Sequence, residues 1–137
     1  MRKKLILVIE DEEVILRKIA RYLQGLGLEV RTAANLGEAR ERIENNRFAV
    51  IVSDIDLGAE SSTDLHAEYV GQLAASHTEW LSMTGRDAYA DTEDVKVKYF
   101  RGHNIRVVGK GQASFLHELM EAVTVIITAV EKPSGQP

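Results

Sequence analysis

Two aspartates, Asp54 and Asp56, stand one residue apart where an apolar run, Ala49 to Val52, ends in the stretch AVIVSDIDLG (49–58). A second acidic pair, Glu10 and Asp11, follows the apolar run Leu5 to Ile9. Thr84 closes a third such run and Lys110 follows a fourth. Carboxylates gathered in one place raise one another's pKa unless a cation neutralises them. A hard cation such as Mg²⁺ suits oxygen donors and retains waters that a phosphate oxygen can replace. A carboxylate is also a nucleophile toward phosphorus. A metal, an ammonium and a hydroxyl together stabilise the charge on phosphoryl oxygens. Glu10, Asp11, Asp54, Thr84 and Lys110 are the residue types for that chemistry, provided that a fold brings them together.

The composition permits such a fold. A length of 137 residues points to one domain with one core. With 45% hydrophobic and 28% charged residues, the chain has ordinary globular composition rather than that of a disordered one. The net charge of −4 argues against nucleic acid as a partner. Without cysteine there is no disulfide framework and no thiolate chemistry. The basic start MRKK precedes an apolar run that stops at Glu10, too short for a signal-peptide core or a membrane span. The expectation is therefore a cytoplasmic protein with no membrane partner. Residues 131–137, with both prolines of the chain, read as a flexible tail after a domain over 1–130.

Short apolar runs alternate with stretches of helical period. KLILVI (4–9) reads as a first strand. A helix follows, with Ile15, Ile19 and Leu23 on one face, Leu16 beside them, and Gly25 and Gly27 as stops. LEVRTA (28–33) alternates and so suits a strand near an edge, and Asn35 with Glu38 forms a capping box for a helix burying Leu36, Ala39 and Ile43. FAVIVS (48–53) is a third strand, then comes a polar loop and a helix with Leu65, Tyr69 and Leu73. EWLSM (79–83) is the fourth strand, a helix with Val95 and Tyr99 capped by Asp91 follows, and IRVVG (105–109) is the fifth strand. The last helix presents Phe115, Leu119, Val123, Ile126 and Val130 to the sheet, while Leu116, Val125 and Ile127 lie off that stripe and suggest a partner surface. Trp80 reads as core, and His66, His77, His103 and His117 show no metal-ligand spacing and read mostly as surface or half-buried residues.

Five strands alternating with five helices predict an α/β fold, a flavodoxin-like doubly wound parallel sheet in the order 2-1-3-4-5 with helices on both faces. Ligands in such a sheet bind beyond the carboxyl ends of the strands, where the order reverses. That edge receives Glu10 and Asp11 from strand one, Asp54 from strand three, Thr84 from strand four and Lys110 from strand five.

In this order and at these strand ends, the five residues resemble the receiver domain of two-component response regulators, over roughly Lys4 to Val130 by domain size. The resemblance implies a stand-alone receiver in a histidine-to-aspartate phosphorelay, with Asp54 as phosphoacceptor. It implies Mg²⁺ held by Glu10, Asp11, Asp54 and the Asp56 backbone carbonyl. Lys110 would pair with the phosphoryl group, and Thr84, followed by Gly85 at a phosphoryl-binding and switch position, would move to hydrogen-bond it. The implied partners are a sensor histidine kinase or histidine phosphotransfer protein and an unidentified downstream protein. A homodimer through the fourth helix, fifth strand and fifth helix is a further expectation. No turnover of an external substrate is implied, only self-catalysed phosphoryl transfer and autodephosphorylation.

Several positions depart from the family pattern. Gly111 stands where a proline usually follows the lysine, Val107 where an aromatic switch residue is common, Gly58 where a proline is common and Gly85 where alanine is usual. Taken singly, Asp11 could be only a helix cap, Asp54, Asp56 and Thr84 turn residues, and Lys110 a surface charge. Two other functions fit parts of the pattern. DIDLG resembles the first motif of haloacid-dehalogenase phosphatases, with Asp56 as general acid, although that motif belongs on a first strand. A degenerate receiver that binds a partner without phosphorylation fits Val107 and Gly111.

Overall fold

The structure is a computed structural model, and the residues it describes are 4–85, 94–111 and 113–131. The elements run β1 (Leu5–Ile9), α1 (Glu13–Gln24), β2 (Glu29–Ala33), α2 (Leu36–Asn45), β3 (Val50–Asp54), β4 (Asp56–Leu57), β5 (Glu60–Ser61), α3 (Ser62–Ala75), β6 (Glu79–Thr84), α4 (Val95–Gly102), β7 (Val107–Gly109) and α5 (Phe115–Glu131). The five longer-range strands form one parallel sheet in the order β2-β1-β3-β6-β7, which is the expected 2-1-3-4-5 with the short hairpin β4–β5 counted separately.

The apolar runs are continuous because the inner strands are covered on both sides. Leu7, Ile9 and Ile51 point to a layer with Leu36, Ile43, Leu65 and Phe100, from α2, α3 and α4. Their neighbours Ile6, Val8, Val50 and Val52 point to the opposite layer with Leu16, Ile19, Leu23, Leu119 and Val123, from α1 and α5. Alternate side chains on a strand leave by opposite faces, so one strand feeds both layers. β2 lies at the edge, and its Glu29 stays exposed, as its alternating sequence implies.

Helix ends follow local chemistry. The Asn35 side chain accepts from the Glu38 N–H at 2.9 Å, while the Glu38 carboxylate accepts from Ala34 N–H at 2.8 Å, one residue earlier than a reciprocal box requires. Asp94 caps α4, its carboxylate accepting from Lys96 and Val97 N–H at 3.0 Å each. Asp91, the cap read from sequence, lies outside the described residues, as do residues 132–137 of the expected tail.

Three readings are corrected. The loop after β3 contains a hairpin, in which Asp56 pairs with Ser61 and Leu57 with Glu60. Its two-residue turn needs a positive φ, and Gly58 supplies it at +66°; a proline there could not. Of the four histidines read mostly as surface or half-buried, His66 is buried, at 5% accessibility. On α5, Leu116 and Ile127 pack partly against the core, so of the off-stripe residues only Val125 is well exposed, at 63%. The side chain of Val130 lies outside the described residues.

Candidate functional site at the carboxyl edge of the sheet

The register that sets Ile9 beside Ser53 puts the next pair, Glu10 and Asp54, side by side at the end of β1 and β3. Both are buried although charged: Glu10 is 0% and Asp54 5% accessible. The Glu10 backbone N–H still donates to the Ala33 carbonyl across the sheet at 3.0 Å, and the Glu12 N–H donates to the Glu10 carboxylate at 3.3 Å. Asp11, one residue on, is exposed. Carboxylate oxygens of Glu10, Asp11 and Asp54 all lie within 4.8 Å of one another.

Lys110 reaches the same point from the end of β7. Its ammonium donates to Glu10 Oε2 and to Asp54 Oδ2, each at 2.9 Å, and its backbone N–H donates to the Thr84 carbonyl at 2.8 Å. Gly85 makes room for this lysine: a Cβ there would stand 3.2 Å from Lys110 Cε, tighter than most carbon contacts. Thr84 is buried and pairs with Gly109 across β6 and β7. Nothing lies within 4 Å of a Cβ built on Gly111, and no described peptide bond is cis.

Burial is the dominant electrostatic fact. It lifts the Asp54 pKa from 3.8 to about 7, with the Glu10 charge adding to the rise and Lys110 opposing it. Burial raises Glu10 as well, against the Lys110 hydrogen bond and charge. For Lys110 burial acts downward, but its bonds and charges with Glu10 and Asp54 outweigh that and raise it. One ammonium is thus shared by two carboxylates that burial disfavours as anions. The donor set of three carboxylates, one open to solvent, fits a hard divalent cation, which would supply the missing positive charge.

Of the residues read from sequence, Glu10, Asp11, Asp54 and Lys110 converge, with Thr84 and Gly85 against Lys110. The Asp56 carboxylate is not one of that group of three. It accepts from Lys96 of α4 at 2.8 Å, an ion pair that sequence reasoning missed because forty positions separate the partners. Val107 is buried with Trp80 and Phe100 in the layer beneath α3 and α4. The rings in this layer come from elsewhere: His66 meets Trp80, Tyr99, Phe100 and His103 edge-on, as Tyr99 does Phe100, while Trp80 and Phe100 lie nearly parallel and Tyr99 tilts against His103, with centroids 4.5–6.1 Å apart.

Solved structures share this fold. A CheY-like receiver domain protein from Methanospirillum hungatei superposes with a TM-score of 0.80 at 22% identity, covering 95% of this chain and 98% of its own. A two-component response regulator from Clostridium difficile gives 0.78 at 19% identity, with 95% and 100% covered. The response regulator TrrA from Thermotoga maritima, in complex with Mg²⁺ and beryllium fluoride, gives 0.72 at 23% identity, with 90% and 98% covered. No curated protein matches the chain. The receiver family matches residues 6–102, a shorter span than the roughly 4–130 expected. Lys110, flanked by Gly109 and Gly111 where the pattern departs, falls beyond the match, while the backbone path continues. By that match, which includes Glu10, Asp11, Asp54 and Thr84, the chain belongs to the response regulator receiver domain family of two-component signalling.

Proposed function

We propose that Asp54 is the phosphoacceptor of this receiver. The observation that carries the reading is the convergence of Asp54 with Glu10 and Asp11, bridged by Lys110. An Asp54 carboxylate oxygen attacks the phosphorus of a phosphohistidine. The phosphorus–nitrogen bond breaks, the imidazole leaves with its electron pair, and an acyl phosphate forms. Hydrolysis later breaks the phosphorus–oxygen bond of that acyl phosphate and restores the carboxylate with release of inorganic phosphate. A Mg²⁺ ion held by Glu10, Asp11, Asp54 and the Asp56 carbonyl would supply charge to the phosphoryl oxygens. Lys110, already 2.9 Å from Asp54, follows the group as a second cation. The Thr84 hydroxyl donates to a phosphoryl oxygen, and Gly85 leaves the lysine its space. The domain turns over no external substrate.

A sensor histidine kinase or histidine phosphotransfer protein supplies the group in the cytoplasm, and a downstream protein reads the changed surface; nucleic acid and membrane play no part. No described helix is long and apolar enough to cross a membrane. A homodimer through α4, β7 and α5 is supported by exposed Val95 and Val125 on those helices. Light scattering that finds a monomer at high concentration, with and without beryllium fluoride, would remove it. For Asp54, the protein is incubated with acetyl phosphate and Mg²⁺ and its intact mass measured. One added phosphoryl group, absent in Asp54→Asn, is expected; no adduct on the wild type refutes the reading.

A further inference from the structure

The first turn of α4 carries a cation that the phosphoryl chemistry does not use. Lys96 Nζ donates to Asp56 Oδ1 at 2.8 Å, and the turn itself is fixed by the Asp94 cap. Asp56 follows Asp54 by two residues, at the start of the hairpin that closes the loop back onto Ile55, whose carbonyl accepts from Ser62 N–H at 2.9 Å. Four carboxylates, those of Glu10, Asp11, Asp54 and Asp56, therefore belong to this edge of the sheet. Lys110 is the inner counter-ion, with its side chain 10% accessible; Lys96 is the outer one, at 40%.

We propose that Lys96 is a positioning residue that acts through Asp56: it neutralises the outermost carboxylate and so weakens divalent-cation binding by the inner three. This inference rests on the metal reading given above. A cation arriving at Glu10, Asp11 and Asp54 brings like charge toward Lys96 and competes for the Asp56 carboxylate. Coupling between two binding events is reciprocal. Cation binding therefore loosens the hold of Lys96 on Asp56 and releases the first turn of α4 from the acceptor loop. The metal site and α4 are in this way connected through charge, across a pair whose exposure keeps the coupling to a few-fold.

The sign of the effect separates this role from a purely structural one. If Lys96 only tethered the loop, its removal would disorder Asp56 and weaken cation binding. Titration calorimetry with Mg²⁺ on the full chain should instead show Lys96→Met binding about two- to fivefold tighter than wild type at low salt. The difference should shrink near 1 M salt, where the screening length falls to about 3 Å. Lys96→Arg should restore the wild-type affinity. A second readout is amide exchange at Lys96, Val97 and Lys98, whose N–H groups bond Asp94. It should quicken on Mg²⁺ saturation of the wild type and not of Lys96→Met. Unchanged or weaker binding by Lys96→Met overturns the proposal. A wild type that binds no Mg²⁺ overturns the metal reading beneath it.

Discussion

At the carboxyl ends of β1 and β3, Glu10 and Asp54 are buried with one shared lysine. Beneath α3 and α4, His66 is buried among Trp80, Tyr99, Phe100 and His103. Both places take a titratable group out of water, yet they resolve the cost differently. In the ring cluster, burial, with the charge of His103, lowers the His66 pKa and keeps the imidazole neutral, while its Nδ1 meets the Tyr99 hydroxyl at 2.8 Å. At the sheet edge, burial raises the carboxylates and two of them divide one ammonium. The cluster is complete as it stands. Among the described residues the edge is short of positive charge, and Asp11 leaves it open to solvent. A site built to receive a cation differs from a packed core in that shortfall.

The comparison breaks most visibly through Phe100, fully buried in the ring layer. Phe100→Ala should cost about 3–5 kcal/mol, and Mg²⁺ should change that cost by no more than about 1 kcal/mol, the few-fold coupling through Lys96, as chemical denaturation would show. If Mg²⁺ changes it by more, the ring layer and the sheet edge are not separate regions. Next in size, Mg²⁺ at a hundredfold excess over its Kd should stabilise the wild type by about 2.7 kcal/mol, and Asp54→Asn should lose most of that.

Without metal, Asp54→Asn should be more stable than wild type at pH 8, by about 1–3 kcal/mol. The folded pKa of Asp54 lies above its unfolded value, so the stability it contributes is present below pH 3.8 and is lost as pH rises through about 7. The advantage of Asp54→Asn should accordingly fade toward pH 4. A constant difference from pH 4 to 8 would mean that burial does not raise this carboxyl.

The smallest effect belongs to the cluster and has the opposite slope. His66 is lowered from 6.5, so its contribution is present above that pH and is lost as pH falls through the folded value. Tyr99→Phe should cost about 0.5–1.5 kcal/mol above pH 7. Proton NMR titration of His66 should still place its pKa below 6.5, because burial persists without the hydroxyl. A His66 pKa at or above 6.5 in the wild type would show that the ring layer is open to water.

Much of this was legible in the residues. Asp54, Glu10 and Asp11 each follow an apolar run, and a parallel sheet buries such runs whole, so the ends that carry charge mark the ligand edge. Asn35 with Glu38 signals a helix start by local bonds alone. What escaped was non-local. Leu57 and Glu60 form a hairpin too short to show periodicity, and Gly58 reads as a departure until its positive φ is seen. Lys96 looks like any solvated lysine on a helix. His66 has the spacing of its apolar neighbours Leu65 and Tyr69, but its polarity alone says surface.

The sequence by itself determined the α/β alternation and the acidic edge, because hydrophobic period and charge placement are local signals that every packing must respect, and right-handed crossovers then narrowed the strand order. Only the tertiary structure decided how deep the acids sit and with whom. Strand register set Glu10 beside Asp54, strand pairing carried Lys110 to both, and the approach of α4 gave Asp56 its lysine. Desolvation depends on everything packed around a group. No spacing rule could therefore have told the nearly dry Asp54 from the exposed Asp11.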